Sequence, residues 1–423
     1  MNKRLFSFEG FILSVVIVLA NLRALMFFTL YPETGLVFGS AWIEIGFWIL
    51  TGVSVGYLLV RNKLVVQYFS AWRVNWVLGV FIILAFISAF WSLDFSATLF
   101  RALELLFATL IASYFGMRYR PNQMMNVLFW FGAILVILSV ALVIGAPPTG
   151  TMPWAPFYGA WRGVYWHRNH LSSIITLVNA VFLLRVITAV QHRLTTGILD
   201  GAFYLLSLVV ILFAKSATGY ILFILLHLFV ICVWLWIKYS ARLRAWHYGV
   251  VFGIFIAGSI LILSNLEVVF GLLNRSPTLT GRTDLWSYLL KEIIPARPWL
   301  GHGFGAIWAR EEFRIETQQQ IGWGSPVLIA DNGFLDILLH VGVAGLLVFI
   351  SILVLAIIQS LRHGVSQRTL TGFLPLLIMF YAVIANISFS LFAETEVFVW
   401  FLLVAVLFMT TPQSDIPRNA TTR

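Results

Sequence analysis

Apolar residues in this chain gather into runs of about 20, the length that crosses a hydrocarbon core as a helix, with short polar connectors between them. The runs predict about twelve transmembrane helices, near 8–30, 37–60, 74–92, 96–117, 124–144, 168–190, 199–214, 217–237, 246–266, 332–359, 371–392 and 394–411. The expected fold is an all-α integral membrane protein, with no soluble domain between the helices. The first run is followed by no small-residue cleavage site and is interrupted by Arg23, so it reads as a retained helix and not as a signal peptide. Two connectors stand out for size, 145–167 and 267–331. They divide the chain into amino-terminal transmembrane helices over 1–144, a membrane domain with both large loops over 145–411, and a tail over 412–423.

Composition sharpens this picture. At 61% hydrophobic and 10% charged, the chain lies far outside the range of soluble domains. A net charge of +10 suggests nucleic acid until the basic residues are placed. Sixteen of the 27, including Arg61, Lys63, Arg118, Arg120, Arg185, Lys238 and Arg362, fall on alternate short connectors, and by the positive-inside rule that side is cytoplasmic. Nucleic-acid binding is therefore dropped. With twelve helices both termini are cytoplasmic, and both large loops lie outside. Short cytoplasmic connectors leave little room to bind a soluble nucleotide sugar or ATP, so the chemistry is expected at the outer face. The single cysteine, Cys232, excludes an internal disulfide framework and a cysteine metal site. No helix carries an Arg or Lys ladder, and the halves show no repeat, which disfavours a voltage sensor or a transporter.

The outer loops hold the candidate chemistry. Segment 267–331 carries six basic and seven acidic residues, so any anion binding must come from particular arginines placed by structure. Within it, GRTDLWSYLLKEII at 281–294 aligns Leu285, Trp286, Leu289, Leu290 and Ile293 on one helical face, ending at Pro295. That pattern predicts an amphipathic helix on the outer membrane surface, with Arg282 in its first turn, where free amides and the dipole favour an anion. Arg282 there either docks a phosphate, pairs with Asp284, or snorkels to lipid headgroups. GHGFG at 301–305 lacks the strand and helix of a phosphate loop and reads as a tight turn. The first loop offers Trp154, Trp161 and Trp166 as belt residues or sugar-stacking rings, then packs Arg162, His167, Arg168, Asn169 and His170 where a helix enters the membrane. His167 and His170 share a helical face, but too few ligands accompany them for zinc. Arg101 with Glu104, and Arg23 with Glu44, read as structural pairs. Asp331 and Asn332 stand at the mouth of a late helix, Asp331 as its cap or as a carboxylate facing the arginines, and Gly342 and Gly345 there permit close packing. Glu394 and Glu396 occupy the last outer turn, beside Asn386, as a second acidic element or as helix-start residues.

Taken in order, RGVYWHRNHLSS at 162–173, TGRTDLW at 280–286, PWLGHGFG at 298–305, ADNGFLDILLHVGVAGLL at 330–347 and SFSLFAETEVFVWFLL at 388–403 resemble the O-antigen ligase and exopolysaccharide polymerase family of bacterial inner-membrane glycosyltransferases. The resemblance runs from about residue 160 to the carboxyl end, and is nearest to the polymerase branch. It implies a GT-C-like fold of about 12 helices with a large periplasmic loop containing amphipathic helices. It also implies a polyprenyl-diphosphate-linked oligosaccharide as donor, a growing glycan as acceptor, and a flippase and a chain-length regulator as partners. A ligase acting on a lipid or protein acceptor is the alternative, and a sugar transporter the alternative of another class.

Charge grows on the diphosphate as the glycosidic bond breaks, and guanidinium groups suit its oxyanions. The expected catalytic residues are Arg282 and Asp331. Arg162, His167, Arg168, Asn169, His170, His302, Asn332 and Glu394 are expected to bind diphosphate or glycan, with no metal or other cofactor required. The ligases of this family place a His before the Asn at the start of the late helix. Here Asp331 stands in that place, so the base is expected to be this carboxylate, with His302, His170 and Glu394 as substitutes.

Overall fold

The computed structural model describes residues 10, 12–13, 41–153, 157–193, 195–239, 282–323, 327–392 and 397–412. Among these the chain is helical, and the only β pairing is an isolated antiparallel bridge between Thr151 and Trp161. The helices are α1 (Ala41–Arg61), α2 (Val65–Val74), α3 (Trp76–Ile87), α4 (Phe95–Arg118), α5 (Pro121–Gly145), α6 (Arg168–Gln191), α7 (Gly197–Ala214), α8 (Ala217–Tyr239), α9 (Arg282–Tyr288), α10 (Glu311–Ile321), α11 (Gly333–Gln367), α12 (Leu374–Ala385) and α13 (Val397–Met409). Six of them, α4 to α8 and α11, are long and apolar enough to cross a membrane, and the bent pair α1 and α2 raises the number to seven. The predicted span 246–266 and most of 8–30 lie outside the described residues, as do Arg23 and the side chain of Glu44.

Two helices form the axis of the packing. Residues 398–408 of α13 are buried on every side, which suits a segment with no charge and no polar face. It lies along α4, where Gly116 gives the closest approach to the Ala405 backbone and Trp400 donates its indole N–H to Thr109 at 2.8 Å. The second axis, α6, packs against both α7 and α8, and its buried Asn179 donates to the Ser207 hydroxyl at 2.8 Å. Two charged pairs lie within the spans: Arg101 with Glu104 at 3.2 Å, as expected, and Arg185 with Asp200 at 2.7 Å. An unpaired charge in lipid costs several kcal/mol.

Elsewhere the structure departs from the periodicity. The connector after α1 is itself the helix α2, bent 112° from its predecessor. Segment 282–296 is a continuous helical stretch: α9, a π turn at Leu289–Ile293, and a final turn at Ile294–Ala296 that contains Pro295. Its apolar face is divided. Leu285 and Leu289 are buried in a second core with Ile307, Trp308, Val327, Ala330 and Leu339, while Leu290 remains exposed.

Helix α11 breaks at Gly342, which adopts φ 67° and ψ −168°, and the PWLGHG segment enters the break. The His302 and Gly303 amides donate to the Leu339 and His340 carbonyls at 2.8 and 3.0 Å, while Val343 and Ala344 donate to Pro298 and Trp299 at 2.8 and 3.2 Å. Backbone groups orphaned by the break are thereby satisfied. Gly301, Gly303 and Gly305 all have positive φ, as a tight turn requires. Only such a turn brings the loop backbone against the helix axis.

Candidate functional site

The break fixes where the first turns of α11 point, and there the candidate residues meet. Asn332, not Asp331, caps α11: its Oδ1 accepts the Phe334 and Leu335 amides at 3.0 and 3.1 Å, and its Nδ2 donates to Ile387 at 3.2 Å. The expected capping role of Asp331 is corrected by its backbone, which sits at φ 53° just outside the helix. Freed from capping, the Asp331 carboxylate accepts the Arg282 Nε–H at 3.0 Å. Arg282 thus pairs across the fold and not with its neighbour Asp284. Its side chain is 6% exposed and that of Asp331 26%, so the carboxylate is the more exposed partner of the pair. The Phe389 ring lies 5.8 Å from the guanidinium carbon.

Asp331 is held from three directions. Asp336, one turn into α11 and wholly buried, accepts the Ala330 amide at 3.2 Å and the Trp308 indole N–H at 2.7 Å on the same oxygen. From α9, Trp286 donates its indole N–H to the Ala330 carbonyl at 2.8 Å, one turn beyond Arg282. The Asn332 amide donates to the Ser390 hydroxyl at 3.1 Å. Such anchoring on both sides lets a non-glycine residue occupy a left-handed backbone. Asp336 and Trp308 were not singled out by the sequence, and Trp286 only as part of an apolar face, because their partners are 6 to 44 residues away.

The loop before α6 supplies a second cationic group. His167 caps α6 through Nδ1, which accepts the Asn169 amide at 3.2 Å, so its ring is neutral on that nitrogen. Burial first, and then the charges of His170, Arg168, Arg282 and Arg162, depress His167 to about 3. That influence places Arg282 beside the 162–170 cluster, joining two of the sequence strings. Arg162 donates to the Thr149 and Pro148 carbonyls at 2.9 and 3.3 Å, and burial lowers it to about 10, which leaves it charged at neutral pH. Arg168 donates to Ala214 at 3.4 Å and to Lys215, carbonyls at the carboxyl end of α7 where a cation is favoured, with Phe157 3.9 Å beneath it. Asn169 accepts the Ser216 hydroxyl at 3.0 Å, and the His170 ring packs 5.2 Å from Trp166. Trp161 stacks on Phe213 at 4.9 Å, a packing contact that uses the ring proposed for sugars.

His302 stands apart from this group. Buried, it donates through Nε2 to the Ile293 carbonyl at 3.2 Å, tying the end of the α9 segment to the break in α11, and burial pushes its pKa down. Its place is behind the site, holding two of its elements. Glu394, Glu396 and Trp154 lie outside the described residues.

These elements define a multi-pass, all-helical membrane protein with an arginine-rich polar site where several helices begin. Residues 202–350 match the family model described as O-Antigen ligase. The chain is also 24% identical over 327 residues to "Exopolysaccharide production protein ExoQ" of Rhizobium meliloti (strain 1021), covering 75% of this chain and 71% of that one. The two matches support an O-antigen ligase/ExoQ-like family, the one its motifs resemble. The matched model includes Arg282, His302, Asp331, Asn332 and the Gly342 break, and leaves the Arg162–His170 cluster outside.

Proposed function

We propose that this protein is a membrane glycosyltransferase that polymerises polyprenyl-diphosphate-linked oligosaccharide repeats at the periplasmic face, in exopolysaccharide or O-antigen synthesis. The observation that carries the reading is the Arg282–Asp331 pair, set beside Arg162, Arg168 and a neutral His167. Arg282 engages that carboxylate and acts on His167 together with Arg168 and Arg162, a grouping of positive charge that fits a dianionic leaving group.

In the transfer, an acceptor hydroxyl oxygen attacks the anomeric carbon, the bond from that carbon to the diphosphate oxygen breaks, and the electron pair leaves with the diphosphate. Arg282 stabilises the growing charge with the N–H groups not engaged by Asp331. Asp331 accepts the hydroxyl proton, being the partly exposed carboxylate beside Arg282. Arginine supplies the charge neutralisation, so we expect turnover to persist in EDTA. The name of the matching family favours a second reading, a ligase that moves finished glycan to a lipid or protein acceptor with the same donor chemistry.

Electrophoretic sizing of lipid-linked and secreted glycan from a deletion strain, complemented with wild type or Arg282→Ala, tests both. Single repeats on the carrier support polymerisation, and long chains stranded on the carrier support ligation. Normal secreted glycan with Arg282→Ala removes this site from the mechanism.

A further inference from the structure

The described basic residues of the long loop segment are accounted for, with one exception. Arg282 pairs with Asp331, Arg297 donates to the Trp91 carbonyl at 2.6 Å, Arg310 meets Glu312 at 3.3 Å on an exposed surface, and Lys291 is exposed. Arg314, on α10, is 8% exposed, and its Nε is buried without an acceptor among the described residues. The acidic residues of its own helix, Glu311, Glu312 and Glu316, lie on the exposed face. One turn along on the buried face, Thr317 is 0% exposed, and its hydroxyl also lacks a partner among the described residues. Two other buried helical threonines, Thr109 and Thr176, bond back to the carbonyl four residues earlier, each at 2.6 Å. Thr317 forgoes that bond.

A guanidinium and a hydroxyl three residues apart on one helical face are neighbours, and both are donors. Around them lies the second core, with Phe313 packed on Trp308 at 5.3 Å. A buried guanidinium N–H without an acceptor is left unsatisfied, and an oxyanion bound there supplies the missing acceptor.

We propose that Arg314 and Thr317 form an oxyanion subsite, taking a carboxylate or phosphate carried either by an acidic unit of the glycan or by an anionic lipid headgroup. The glycan source rests on the proposed function, and the subsite itself does not. Arginine supplies the fork for two oxygens, and Thr317 supplies a third donor.

The test uses the full-length protein in phosphatidylcholine nanodiscs, with melting temperature measured in glucuronate, in glucose at matched ionic strength, and after exchange into phosphatidylglycerol. A rise of about 2 °C or more is the expected response. A rise with glucuronate and not glucose assigns the glycan carboxylate, and a rise with phosphatidylglycerol assigns the headgroup. Arg314→Met should abolish the rise, because the guanidinium donors are gone. Thr317→Val, which keeps shape and removes the hydroxyl, should reduce the rise and carries the test if Arg314→Met does not fold. Arg282→Ala should keep the full rise. No rise in the wild type with either anion overturns the subsite, as does a rise lost in Arg282→Ala but kept in Arg314→Met. Failure of the proposed function shows separately, as normal glycan in the Arg282→Ala strain.

Discussion

Asp336 accepts the Trp308 indole N–H at 2.7 Å, and with the same oxygen it holds the Ala330 amide, so a buried carboxylate in the first turn of α11 sets the backbone that presents Asp331. The two carboxylates of one short sequence therefore divide their tasks by burial. The inner one is fixed and wholly enclosed, and the outer one is partly exposed and meets Arg282.

Asp336→Leu should leave the Trp308 and Ala330 N–H groups buried without an acceptor, at about 1–3 kcal/mol for each group. Asp336→Asn retains one carbonyl oxygen for both donors and should keep most of the stability. Glycan sizing beside melting temperatures separates the two effects. If Asp336→Asn loses product as completely as Asp331→Ala while melting like wild type, then Asp336 acts through its charge and not by positioning.

Asp331 itself permits a clean substitution. Its φ of 53° is tolerated by Asn better than by most side chains, so Asp331→Asn should fold with a melting temperature near wild type. Loss of the base should lower transfer by about 100-fold, within the range ascribed to a positioned proton acceptor. Turnover measured with a lipid-diphosphate donor checks this, and an unchanged rate would move the proton to another acceptor.

Much of this site was legible as chemistry before it was legible as geometry. The hydrophobic runs placed α4 to α8 closely, because long uninterrupted apolar helices have few alternatives in a membrane. Arg282, Asp331 and the 162–170 cluster stood out because charge beside a membrane helix needs a reason. The carbonyls that hold Arg162 and Arg168 were hidden, since Thr149, Pro148 and Ala214 give no sign in the sequence of which cation they will meet. For the same reason the burial of Leu285 and Leu289 in a second core was hidden: an apolar helical face does not say whether lipid or protein covers it. Helix α10 was missed although two signals mark it, Glu311 and Glu312 in the first turn and Gly322 in a left-handed cap. Its polar face and short length gave no apolar run to follow.

Gly342 is the position where one methyl group should do most harm. Its φ and ψ belong to a region that is essentially glycine's own, and a Cβ there would approach the Leu300 nitrogen to 2.5 Å. Gly342→Ala should cost about 3 kcal/mol or more, by strain and by expelling the PWLGHG segment from the break. Because that segment carries His302, whose ring holds the Ile293 carbonyl, the change should also loosen the helix that bears Arg282. Limited proteolysis within 297–305, compared between wild type and Gly342→Ala in nanodiscs, reads this directly. Equal protection would show that the loop docks independently of the break.

His167 gives the protein a defined acid sensitivity. In the folded chain it is held to about 3 by burial and by the charges of His170, Arg168, Arg282 and Arg162, whereas an unfolded chain restores it to about 6.5. Between those values the unfolded state binds the extra proton. Its contribution to stability is therefore complete above about pH 6.5 and is lost as pH falls toward 3, at up to about 1.4 kcal/mol per pH unit. His302, depressed by burial, acts in the same direction. His167→Asn keeps a side-chain oxygen to cap α6 and removes the titration, so its melting temperature should fall less steeply between pH 7 and pH 4 than that of wild type. A bound diphosphate places negative charge beside the same ring and should raise its pKa, flattening the wild-type curve when donor is present. Parallel curves for wild type and His167→Asn would mean that the ring is already protonated in the fold, and the charge balance around Arg282 would then need a second anion.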